Sequence, residues 1–104
     1  MTTKRELQGS FGSLLDTLQN RMDPFFPPNL LSRWLGAIGR AAAIARNSAG
    51  WNALPDQDRR YSALVGQLDD ATRALVMADY TKIPSLEAAL GQVEAALAAL
   101  DAIV

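Results

Sequence analysis

Leu86, Leu90, Val93, Leu97, Leu100 and Val104 recur at alternating steps of four and three, with alanine filling most of the positions between them. On a helix this spacing draws one straight apolar seam, the pattern by which helices grip other helices. It predicts a helix over 84–103. The seam has two open uses, packing inside the monomer or pairing with a symmetry mate. Leu86, Leu90, Val93, Leu97 and Leu100 are therefore candidate self-association residues.

Three further helical patterns precede it, and no strand pattern is present. The first is predicted over 3–22: Thr3-Lys4-Arg5-Glu6 has the form of a capping box, and Leu7, Phe11, Leu14, Leu15, Leu18 and Met22 follow at helical spacing. The segment Asp23-Pro24-Phe25-Phe26-Pro27-Pro28 then breaks it, because proline removes amide donors and restricts the residue before it. Phe25 and Phe26 are either a staple into the core or an exposed apolar tip.

The second helix is predicted over 29–47, with Leu31, Trp34, Leu35, Ile38, Ala41, Ala42 and Ala45 on its apolar side. Its opposite stripe reads Arg33, Gly36, Arg40, Ala43, Asn47, with Arg46 alongside. Arginines with small residues between them suit close approach of a partner that carries carboxylates. The same stripe also suits a solvated face whose arginines pair with acids of the third or fourth helix. Gly36 and Gly39 make no phosphate-binding loop, since no strand precedes them.

Gly50 to Pro55 reads as a connector whose Trp51 folds over the end of the helices, or offers an exposed part to a partner. A third helix is predicted over 55–80, with Pro55 in its first turn and Tyr61, Leu64, Val65, Leu68, Ala71, Leu75, Val76 and Tyr80 on its apolar side. The short link Thr81 to Pro84 turns it back into the fourth. The expected fold is all-α: one domain over 1–104, a small bundle of about four helices with a C-terminal antiparallel helical hairpin.

Composition narrows the function more by exclusion than by assertion. At 104 residues, 49% of them apolar and 20% charged, the chain fits one folded domain that buries roughly two-thirds of its unfolded surface. It contains neither cysteine nor histidine. That removes disulfides, thiol nucleophiles, Ser-His pairs and ordinary zinc, copper or haem ligation. Asp69 and Asp70 are adjacent and point about 100° apart on a helix, so they do not converge on one cation. No cofactor, metal or catalytic constellation is expected.

Trp34-Leu35-Gly36 superficially resembles the turn signature of the WXG100 helical hairpins, but it falls within a helix while the connector reads Trp51-Asn52-Ala53. The chain is not assigned to that family.

The net charge is −1, unevenly divided between a basic first half and an acidic second half. The two halves suit a basic helix pair packed beside an acidic one, or a polarised molecule that meets a charged partner. The N-terminus shows no signal-peptide pattern, and the longest apolar run, Ala95 to Leu100, is too short to span a bilayer. A soluble protein is expected, cytoplasmic or part of a virion.

These readings converge on a non-enzymatic protein-interaction module of adaptor, inhibitor or assembly-factor type, such as phages and mobile elements encode. Its partner would be another protein with an acidic patch, met by Arg33, Gly36, Arg40 and Arg46 with Phe25, Phe26 or Trp51 as anchor. Homo-oligomerisation is also expected. A nucleic-acid accessory protein and a self-assembling structural subunit are the alternatives; the pI near 5.2 weighs against the first.

Overall fold

A computed structural model describes all 104 residues and contains five helices and no strands. They are α1 (Lys4–Asn20), α2 (Pro28–Arg46), α3 (Ser48–Ala53), α4 (Arg59–Met77) and α5 (Ile83–Asp101). α1 packs on α4, α4 on α5, α5 on α2 and α2 on α1, so each long helix touches two others.

All four long helices bury a seam at steps of three and four. α1 buries Leu7, Phe11, Leu14 and Leu18; α2 buries Leu30, Trp34, Ala37, Ala41 and Ile44. α4 buries Tyr61, Leu64, Leu68, Ala71 and Leu75. In α5 the seam from Leu86 to Leu100 lies inside the protein, joined by Ala89 and Ala96. Such seams interdigitate as knobs into holes. The α2 seam corrects the sequence reading: Leu35 is 49% exposed and Ala45 is also outside, while Ala37 and Ile44 take the interior.

Helix ends leave carbonyls without amide partners, and burying them unpaired is costly. Here aromatic side chains supply the missing donors. The Trp34 indole N–H donates to the Leu18 carbonyl in the last turn of α1 (2.9 Å), and Trp51 donates to Ile44 at the end of α2 (3.1 Å). The Tyr80 hydroxyl reaches Leu75 near the end of α4 (2.7 Å). No residue has a left-handed backbone, so none of these ends relies on a glycine cap. No buried side-chain polar atom lacks a partner.

Three segments depart from expectation. The connector contains α3, capped by Asn47, whose side chain accepts the Gly50 amide (3.0 Å). α4 begins at Arg59, not Pro55, because Leu54, Asp56 and Gln57 pair with Thr3 and Lys4 at the N-terminus. Lys4 N–H donates to the Asp56 carbonyl (2.7 Å), Thr3 bridges Gln57, and the Tyr61 hydroxyl donates to Pro55 (2.7 Å). α4 stops at Met77, since the Asp79 amide turns to the Ser85 hydroxyl (2.9 Å). α1 starts as read, with the Thr3 oxygen accepting the Glu6 amide (3.2 Å).

Candidate interaction surface

The loop between α1 and α2 divides its two phenylalanines. Asp23 accepts the Phe25 amide on its side chain (2.8 Å) and the Phe26 amide on its carbonyl (3.1 Å), which folds the chain into a tight turn between Pro24 and Pro27. Phe26 then enters the core, with its ring 5.1 Å from Trp34 and 6.2 Å from Tyr80. Phe25 points outward and is 92% exposed. Both sequence readings hold, one for each residue.

Phe25 has company. Arg21, at the end of α1, lies 5.8 Å over the Tyr80 ring, which brings the α1–α2 and α4–α5 loops to one end of the molecule. Met22, Phe25, Val76, Met77 and Ile83 are all large exposed apolar residues in these loops or the helix turns beside them. Tyr80 sits among them with its phenol pKa raised by burial.

The outer face of α2 holds the predicted arginines. Arg33 donates two hydrogen bonds to the Glu94 carboxylate on α5, which raises the guanidinium pKa further. This is the internal ion pair anticipated for the stripe. Arg40 and Arg46 have no carboxylate within 4 Å. Arg33 and Arg40 flank a cleft of about 230 Å³ that is floored by Ala37 and Leu97 and edged by Gly36 and Glu94. A Cβ added at Gly36 or Gly39 would meet nothing within 4 Å, so neither glycine is required by packing inside the chain.

Two predicted groups are withdrawn from solvent. Trp51 is 6% exposed and packs its ring 5.9 Å from Phe11, and Phe26 is 7% exposed, so both rings are core residues, as the readings of a folded-back Trp51 and a phenylalanine staple have it. Leu86, Leu90, Val93, Leu97 and Leu100 are at most 2% exposed, so here the α5 seam packs inside the monomer, the first of its two uses. Pairing α5 with α4 and α2 covers this apolar seam and leaves the acidic line Glu87, Glu94 and Asp101 on the outside.

Sequence reasoning placed Met22, Leu35 and Val76 on apolar faces that the structure leaves exposed, and it missed Met77 and Ile83 as exposed apolar residues and Glu94 as the partner of Arg33. Leu35 lies off the 30-34-37-41-44 seam, and that spacing was the available signal. The acids of α5 carry a similar signal, since Glu87, Glu94 and Asp101 are spaced by seven.

No three carboxylates gather where they could hold a metal ion, and no helix is long and apolar enough to cross a membrane. The chain matches no protein-family model, no curated protein and no solved structure.

Proposed function

We propose that this protein is a non-enzymatic interaction module that docks another protein through the outer face of α2, with Phe25 as the anchor at its head. In this reading α4 and α5 form an antiparallel hairpin that backs α1 and α2. The observation that carries the reading is Phe25, an aromatic ring held almost wholly in water by a turn that Asp23 and two prolines stiffen. A rigid exposed aromatic gives large contact area at little entropic cost on binding, and such residues dominate binding energies.

The arginines supply orientation. α2 carries Arg33, Arg40 and Arg46 and no acidic residue, so its face favours a partner with an acidic patch. Gly36 and Gly39 let that partner approach the α2 backbone closely. An adaptor, inhibitor or assembly factor would work in this way, with affinity from the Phe25 end and register from Arg40 and Arg46.

Capture of partners by tagged protein from a nuclease-treated lysate of the native source, for wild type, Phe25→Ala and Arg40→Glu, tests this. One stoichiometric protein band lost with either substitution is the expected result. A band indifferent to both would overturn it, and material captured from an untreated lysate but not from the nuclease-treated one would assign the basic helix to nucleic acid instead.

A further inference from the structure

We propose that the acidic surface met by α2 is α5 of a second copy of this chain, so that two molecules join through the face that α2 and α5 share. This rests on the reading of α2 as a docking face and names its partner.

The two helices are charge complements. α2 has three arginines and no acid; α5 has Glu87, Glu94 and Asp101 and no base. On each helix one line alternates charge with small or short polar side chains. On α2 the line is Arg33, Gly36, Arg40, Ala43, ending at its cap residue Asn47, and on α5 it is Glu87, Gly91, Glu94, Ala98, Asp101. Steps of three and four keep each line on one side of its helix, and the small residues leave room for charged side chains from an opposing helix.

Within one molecule only the first rung between these lines closes. Arg33 binds Glu94. Three contacts advance together along both helices: Arg33 with Glu94, Arg40 with Leu97 across the cleft, and, just beyond α2, Gly50 beside Val104. α2 and α5 therefore run in the same direction, and seven residues past Arg33 and Glu94 stand Arg40 and Asp101. Both are exposed, and neither has an opposite charge within 4 Å. The second rung is open on both sides.

Symmetry decides how a second copy closes it. A two-fold axis running along the helices, between α2 and α5, sets α2 of each copy against α5 of the other at the same level. Arg40 then meets the other copy's Asp101, and by symmetry the pair forms twice. A two-fold axis across the helices would stack α2 on α2 and oppose arginine to arginine, so charge selects the first arrangement. Helices of 19 residues give a face about 28 Å long and about two helix diameters wide, on the order of the roughly 800 Å² per partner that stable dimers bury.

Sedimentation equilibrium on wild type, Arg40→Glu, Asp101→Arg and an equimolar mixture of the two variants tests the pairing, with circular dichroism to verify that each variant keeps its helix content. The wild type is expected to dimerise. Each variant alone opposes like charges twice and is expected to dissociate about a hundredfold more readily. The mixture is expected to recover the dimer, because each chain then offers the charge its neighbour needs.

A wild type that stays monomeric up to about 1 mM overturns the proposal, as does a dimer indifferent to both substitutions or variants that mixing fails to restore. If the protein is monomeric and its capture of another protein still depends on Arg40, self-pairing fails and the docking reading stands. If capture ignores Arg40 and Phe25 as well, both fail.

Discussion

Arg33 and Glu94 form the one ion pair that joins two of the long helices. Its geometry is bidentate, yet both side chains are more than a third exposed, so water screens most of the attraction. A double-mutant cycle with Arg33→Ala and Glu94→Ala, read by thermal unfolding, is expected to give a coupling of about 0.5 kcal/mol. That coupling should shrink further in 1 M salt, where the screening length falls to about 3 Å. A coupling of several kcal/mol would mean that this pair organises the fold and is not merely part of its outer face.

The two tryptophans should respond differently to loss of the indole N–H. Trp34 is the donor that completes the Leu18 carbonyl, whereas the Ile44 carbonyl accepts both from Trp51 and from the Asn47 amide (3.1 Å). Trp34→Phe therefore leaves a buried acceptor unpaired, at a cost of about 1–3 kcal/mol beyond the smaller ring. Trp51→Phe leaves one partner in place and is expected to cost less. Chemical denaturation of both variants checks the order.

Gly50 is the one glycine that packing requires. A Cβ there would collide with the Asn47 side chain, which caps α3, and would lie 2.9 Å from the carbonyl carbon of Val104. Gly50→Ala is expected to destabilise the protein by about 1–3 kcal/mol, the usual cost of overpacking. Gly66→Ala on α4, where nothing lies within 4 Å, is expected instead to stabilise by up to about 1 kcal/mol. Thermal midpoints that move in opposite directions would support both statements.

Much of this architecture was legible in the chain because seams at steps of three and four specify helices locally. The α5 seam and the Thr3 cap needed no tertiary information. The start of α4 did: Pro55-Asp56 looks like a first turn, but pairing of Thr3 and Lys4 with residues 56–57 holds that segment extended, and Asp58 becomes the cap instead. The fates of Phe25 and Phe26 were likewise hidden, since adjacent identical residues differ only through the turn that Asp23 builds. Of the candidate site, the arginine stripe was readable from spacing. Burial of Trp51 and of the α5 seam was in each case one of two readings of the sequence; which of the two the fold takes followed from which helices become neighbours, which periodicity does not encode.

Asp58 gives the fold an acid dependence. Its carboxylate accepts from the Arg60 guanidinium (2.8 and 3.1 Å) and from the Arg60 amide (2.8 Å), which holds its pKa at about 2 instead of 3.8. The unfolded chain takes up the proton first. The stabilisation is therefore complete above about pH 4 and is lost as the pH falls toward about 2. Asp79, lowered by hydrogen bonds from the Thr81 hydroxyl and amide, acts with the same sign. A carboxyl-carbon NMR titration is expected to place the Asp58 midpoint near 2, and Asp58→Asn to flatten the acid limb of the stability curve.

The docking face itself is tested most directly by filling it. Gly36→Ala with Gly39→Ala adds two methyl groups that meet nothing in the molecule, so the pair is expected to stabilise α2 by about 1–2 kcal/mol and to raise the thermal midpoint by about 5–10 °C. If a partner's backbone closes on these glycines, the same variant should lose its partner in capture experiments while melting higher than wild type. A more stable protein that binds its partner as well as before would show that the open face of α2 is not where docking occurs.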